Sequence, residues 1–233
     1  MSPAIKAVLF DLDGTLVDHD SAAADALTGA LPAVYRTEGV VRRWRELEEA
    51  AMEGYLSGDL TFAGQRRVRV AALFAELGLG TCDATRADAW FAGYLRRYES
   101  AWRAYPDVRP ALDALAGRLR LGVLTNGDAS QQRAKLRRVG IAADLPEVVA
   151  SSEAGAAKPD ARIFHAGCRR LRLDPDEVAY VGDRLRTDAV AASDAGLLGV
   201  WLNRAGDPAP AALPAVRTLG ELPALLYGWR AAR

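Results

Sequence analysis

Four short apolar runs constrain the fold more than any other feature of the sequence. They lie at residues 7–10, 121–124, 178–181 and 199–202, with a weaker fifth run at 147–150. Each stops at polar or glycine residues and is followed by a stretch with helical spacing. Strands that alternate with helices imply an α/β fold with a parallel, doubly wound sheet, whose ligands sit beyond the carboxyl ends of the strands. Three of the intervening helices are legible: residues 130–139, stopping at Gly140; residues 160–171, starting just after Pro159; and residues 188–195, ending at Gly196.

Residues 21–105 have a different character. This stretch lacks strand-like runs and is rich in alanine, arginine and aromatic residues. Residues 84–102 place Phe91, Leu95, Tyr98 and Trp102 at helical spacing. One sheet strand precedes the stretch and the others follow it, so it reads as a helical insertion. The expected organisation is a core of residues 1–17 and 106–233 with an all-helical cap of residues 18–105; a chain of 233 residues is long enough for both. Arg66-Arg67-Val68-Arg69 reads as an exposed helix face, the aromatic stripe as cap core, and residues 206–215 as a proline-rich surface connection.

Composition narrows the partners. Thirty basic and thirty acidic residues cancel, which argues against a nucleic-acid polymer or an anionic membrane held by a general positive field. No run approaches membrane-spanning length, and the N-terminus does not read as a signal peptide. Cys82 and Cys168 lie far apart without metal-type spacing, so reduced thiols and a cytoplasmic location are expected. Lys6, Lys135 and Lys158 are the only lysines among the thirty basic residues. In a chain that otherwise uses arginine, the position of a lysine carries information.

The strand ends carry the chemistry. The first run continues as Asp11-Leu12-Asp13-Gly14-Thr15. Residues two apart on an extended chain point to the same side, so the two carboxylates could converge. Bare carboxylates that close raise each other's pKa unless a cation compensates. The second run ends in Thr125-Asn126-Gly127 ahead of a helix, a hydroxyl, an amide and a flexible backbone suited to phosphate oxygens. The run at 178–181 leads into Gly182-Asp183-Arg184-Leu185-Arg186-Thr187-Asp188, and Lys158 stands before Pro159 and a helix. Several carboxylates without a thiolate or histidine cluster suit Mg²⁺ better than zinc.

In this order, "DLDGT", "LTNG", "KPD" and "GDRLRTD" resemble the four motifs of the haloacid dehalogenase superfamily, and the resemblance spans essentially the whole chain. It is closest to the phosphatase branch with a helical C1-type cap after the first strand, the subfamily IA type, on a Rossmann-like core. The resemblance implies Mg²⁺-dependent hydrolysis of a small phosphomonoester through an aspartyl-phosphate. Asp11 would be the nucleophile and Asp13 the acid and base; Thr125, Asn126 and Lys158 would hold the phosphoryl group. Metal binding would fall to Asp11, the backbone carbonyl of Asp13, Asp183 and Asp188, the last as ligand or as hydrogen-bonding support. His19 receives no role as a base from the motif.

Asp13 separates the branches. In the dehalogenases of the superfamily the acid two residues after the nucleophile is absent, since a departing halide needs no proton. The resemblance therefore favours a phosphatase over a dehalogenase. It leaves open a phosphomutase on the same core. A phospho-receiver module is disfavoured because its acceptor follows the third strand. The implied partner is a small phosphorylated metabolite such as a sugar phosphate or nucleotide, and the expected state is a monomer or homodimer.

Overall fold

The computed structural model describes residues 4–229. Strand β1 (Ala7–Phe10) is followed by helices α1 (His19–Ala30), α2 (Glu38–Leu56), α3 (Phe62–Glu76) and α4 (Ala84–Ser100). The chain continues through α5 (Val108–Leu115), β2 (Arg120–Thr125), α6 (Ala129–Arg138), β3 (Glu147–Ala150), α7 (Ser151–Ala154) and α8 (Ala161–Leu171). Then come β4 (Val178–Gly182), a π-helical segment (Leu185–Val190), α9 (Ala191–Asp194), β5 (Leu198–Leu202), β6 (Ala215–Val216) and α10 (Leu222–Gly228). Two compact units result, one ending at His19 and resuming at Arg103, the other formed by Asp20–Trp102.

The first unit holds the sheet. Its six strands lie in the order β3-β2-β1-β4-β5-β6 and every pairing is parallel. Register puts Phe10 opposite Val123 on one side and Val181 on the other. Asp11, Leu124 and Gly182 therefore leave the sheet side by side, at the carboxyl edge where the order reverses around β1. Val8 and Phe10 pack with α5, α6 and α10 on one face, while Ala7 and Leu9 pack with α8 and α9 on the other. All four residues of β1 are fully buried, so each large side chain among them contributes about 1.5–3 kcal/mol of apolar transfer energy. That is why the run reads as continuously apolar.

The chain leaves and re-enters this unit through a small strap. Val17 forms a bridge with Ala104, the Asp18 N–H donates to the Arg103 carbonyl at 3.0 Å, and the Tyr105 N–H donates to the Leu16 carbonyl at 3.1 Å. Arg204 braces it, donating to both carboxylate oxygens of Asp107 and to the Thr15 carbonyl.

The second unit is helical throughout. Side-chain oxygens of Thr37, Thr61 and Asp83 cap α2, α3 and α4. Its interior is aromatic: Trp44 meets Tyr94 edge-on at 5.1 Å, Trp90 stacks on Tyr94 at 5.9 Å, and Tyr98 meets Trp102 edge-on at 5.5 Å. The aromatic stripe is core, as its spacing suggests. The arginine run does not behave as one exposed face. Arg67 is exposed and paired with Asp88, but Arg69 is buried, pairing with Glu48 at 3.1 Å and lying over the Trp44 ring. A position on the apolar side of α3 draws Arg69 inward, and its guanidinium finds a carboxylate and an aromatic face there.

Two further details depart from expectation. The helix expected over residues 188–195 is a π-helical segment running into a short α-helix. The Ala191 N–H bonds to the Arg186 carbonyl, a wider spacing than in an α-helix. This widened turn buries Asp188 completely. A sixth strand, β6, follows the proline-rich connection. Both cysteines are free, and no helix among the described residues is long and apolar enough to cross a membrane.

The π-helical segment presses on β5 at Gly199, where an added Cβ would lie 2.0 Å from the Ala189 carbonyl oxygen. Gly199→Ala should destabilise the protein by about 1–3 kcal/mol. At about 2–4 °C per kcal/mol for a domain of this size, the melting temperature should fall by several degrees. An unchanged melting curve by circular dichroism would contradict this packing.

Candidate functional site

The ends of two strands and the π-helical segment meet around a single ammonium group. Lys158 Nζ donates to Asp11 Oδ1 at 2.6 Å, to Asp188 Oδ1 at 2.6 Å and to the Tyr180 hydroxyl at 2.8 Å. All three of its protons are thereby placed. The Tyr180 hydroxyl in turn donates to the Leu124 carbonyl at 2.9 Å. Lys158, Asp11, Tyr180 and Asp188 are all buried. Burial alone would lower the Lys158 pKa, but Asp11 and Asp188 outweigh it and the ammonium is held firmly.

One ammonium does not balance this site. Asp11, Asp183 and Asp188 each offer a carboxylate oxygen, all within 4.8 Å of one another. Burial, with Asp188 and Asp183 adding to it against the pull of Lys158, pushes Asp11 up to about 7. Burial and the neighbouring Asp188 push Asp183 up to about 6. Like charges this close, buried and only partly neutralised, fit a divalent cation that prefers oxygen. The cluster includes neither histidine nor cysteine, which disfavours a softer metal.

Asp183 is set by contacts that leave little freedom. Its N–H donates to Thr15 Oγ1 at 3.1 Å, Thr15 Oγ1 donates back to Asp183 Oδ1 at 3.3 Å, and its carbonyl accepts from Trp201 Nε1 at 2.8 Å. Gly14 makes the approach feasible. It sits at φ +88°, and a Cβ there would lie 2.5 Å from Asp183 Oδ2.

Asp13 does not join the three-carboxylate cluster. Lys135 Nζ donates to both of its oxygens at 2.6 Å, and Gln132 Nε2 donates to Oδ2 at 3.0 Å. His19 Nδ1 stands 3.9 Å from Oδ1. Burial acts to raise the Asp13 pKa, but Lys135, His19 and Gln132 together bring it below the usual carboxylate range. Asp11 and Asp13 are thus pushed in opposite directions although they are two residues apart.

The loop after β2 is tied to both carboxylates. Thr125 is buried and its hydroxyl accepts from Gln132 Nε2 at 2.9 Å. The Asn126 side chain is committed to Lys158: its Oδ1 accepts from the Lys158 N–H at 2.8 Å and its Nδ2 donates to the Lys158 carbonyl at 3.0 Å. The Gly127 N–H donates to Ser151 Oγ at 2.9 Å. Of the residues singled out in the sequence, Asp11, Lys158, Asp183 and Asp188 converge on one point, with Asp13, Thr125 and Asn126 linked around it. Lys135, Gln132 and Tyr180 were not foreseen. The rarity of lysine marked Lys135, but its partner could not be read from spacing alone.

Comparison with known proteins identifies the family and the fold. Residues 5–196 match the family model of the haloacid dehalogenase-like hydrolases. A curated relative, glyceraldehyde 3-phosphate phosphatase from Methanopyrus kandleri, is 34% identical over 206 residues, covering 86% of this chain and 84% of that protein. Among solved structures, the HAD-hydrolase YfnB from Bacillus subtilis, bound to magnesium, superposes with a TM-score of 0.84 at 22% identity, over 97% of this chain and 100% of that one. The 2-haloacid dehalogenase from Pseudomonas syringae pv. Tomato DC3000 superposes with a TM-score of 0.70 at 28% identity, over 97% and 100% of the two chains.

The crowding of carboxylates leads to an expectation for stability. Millimolar Mg²⁺ should raise the melting temperature, by the equivalent of about 2.7 kcal/mol at a hundredfold excess over Kd. Asp183→Asn should remove most of that gain while leaving the metal-free protein at least as stable as before, since the substitution relieves repulsion. Differential scanning fluorimetry across a Mg²⁺ series checks both halves; a metal response retained in full by the variant would rule Asp183 out as a ligand.

Proposed function

Because this chain belongs to the haloacid dehalogenase-like hydrolases, we propose that it is a phosphatase. It would hydrolyse a small phosphorylated metabolite in the cytoplasm through an aspartyl-phosphate on Asp11. The observation that carries this reading is the presence of Asp13, two residues after Asp11, on a separate set of donors. An alkoxide leaving from phosphorus needs a proton and a halide leaving from carbon does not. A second carboxyl group beside the nucleophile therefore favours ester chemistry over the dehalogenation named for several structural neighbours, the Pseudomonas syringae protein among them.

The steps follow from the residues. An Asp11 oxygen forms a bond to phosphorus as the bond to the ester oxygen breaks, and protonated Asp13 delivers its proton to that departing oxygen. Water then attacks the phosphorus of the aspartyl-phosphate, Asp13 takes a proton from it, and the bond to Asp11 breaks to release phosphate. The proton gained in the second half is the one delivered in the next turnover. Lys158 offsets the negative charge beside Asp11, Thr125 lies where the phosphoryl oxygens are received, and Asn126 serves by fixing the Lys158 main chain. Asp11, Asp183, the Asp13 carbonyl and Asp188 would hold Mg²⁺, with Asp188 also anchoring Lys158. When bound, the ion supplies positive charge that keeps Asp11 ionised and steadies the phosphoryl oxygens.

Phosphate release from a panel of sugar phosphates, nucleotides and short-chain phosphoesters, with and without Mg²⁺, tests the reading. Wild type should release phosphate only with the metal, and Asp11→Asn should lower the rate by about 10³-fold or more, the scale on which loss of a nucleophile is felt. Asp11→Asn turning over at the wild-type rate would remove the nucleophile assignment.

A further inference from the structure

The two buried lysines of this chain serve different carboxylates. Lys158 pairs with Asp11 and Asp188, while Lys135, equally buried, pairs with Asp13. The third, Lys6, pairs with Glu177 and is exposed. Asp128 caps α6 through the Gln131 N–H, so the helix begins directly after the Thr125-Asn126-Gly127 loop. Gln132 and Lys135 are three residues apart on it and share a face.

We propose that Lys135 and Gln132 are positioning residues that orient Asp13 for its two proton transfers, an inference that rests on the phosphatase reading above. The Lys135 nitrogen lies 2.6 Å from each Asp13 oxygen, which fixes the carboxylate about its own axis. Gln132 adds a bond to Oδ2 and with the same amide nitrogen reaches Thr125 Oγ1 at 2.9 Å and the Asn126 carbonyl at 3.3 Å. The proton-carrying carboxylate is thus tied to the loop expected to receive the phosphoryl group, so the two keep a constant separation. Access is one-sided: the Lys135 side chain is 4% exposed and that of Asp13 26%. The ammonium grips from within and leaves the outer side of the carboxylate open for proton exchange. A lysine suits this seat because it brings a compact point charge, whereas an arginine fork is larger and flat.

A contact that only stabilised the fold would slow all substrates alike; one that positions Asp13 would not. Steady-state and rapid-quench kinetics with an alkyl phosphate and with p-nitrophenyl phosphate separate the two, since nitrophenolate departs without a proton. Lys135→Met should lose roughly 10- to 100-fold in kcat on the alkyl ester, the scale for partners that support a working residue, with KM little changed. On the aryl ester it should release one equivalent of nitrophenolate per site quickly and then turn over slowly, because only the water step still needs Asp13. In an Asp13→Asn background, Lys135→Met should cost nothing more. Gln132→Leu, which removes one bond and no charge, should show the same pattern at smaller size, and serves if Lys135→Met does not fold. Equal losses on both esters without a burst, or a further loss in the Asp13→Asn background, would overturn the proposal while the phosphatase reading stands. Absence of turnover by the wild type on every ester would overturn both.

Discussion

The arrangement depends on one buried ammonium. Lys158 reaches the site from the loop between α7 and α8, and its three protons bind Asp11 after β1, Tyr180 within β4 and Asp188 in the π-helical segment beyond β4. Without it, three carboxylates within 4.8 Å of one another would lose the ammonium that binds two of them directly. Removing one partner of such a buried pair leaves uncompensated charge and costs several kcal/mol. The clamp of Asn126 on both sides of the Lys158 peptide main chain shows how much of the neighbouring loop is given over to holding that lysine still.

A second lysine makes the two neighbouring aspartates different. Asp11 lies among like charges and is pushed up, whereas Asp13 lies among donors and is brought down. Without metal or substrate these shifts run opposite to the proposed roles, the nucleophile raised and the acid lowered; a cation held by Asp11 and Asp183 would bring Asp11 down, and a phosphoryl group's negative charge would raise Asp13. The separation arises from the ends of different elements: α6 supplies the seat of Asp13, and the carboxyl ends around β4 supply the surroundings of Asp11. Parallel strands bring these ends to one edge, with the order reversing around β1, so the fold itself sets up the contrast.

Much of this was legible beforehand. Strands buried on both faces read as continuous apolar runs, and the helices between them carry their caps and glycine stops in the chain. The acids and Lys158 stand at strand ends or in short loops, where the order of motifs marks them. The aromatic stripe read correctly as core for the same periodic reason. Arg69 did not, because a charged residue on an apolar face is placed by its partners Glu48 and Trp44, which come from another helix. The π-helical turn was hidden too, since its close packing of Ala189 on Gly199 joins residues of different elements.

The sequence by itself determined the alternation of strands and helices, a helical stretch after the first strand, expected over residues 18–105, and the set of acids available at the strand ends, because these depend on local periodicity and on residue type. Only the tertiary structure decided which cation meets which acid. Asp13 is joined to Gln132 and Lys135 across 119 and 122 positions of sequence, and Asp11 to Lys158 across 147. Pairings at such separations are set by strand order and register, which bring distant segments within hydrogen-bond reach and leave no periodic trace in the chain.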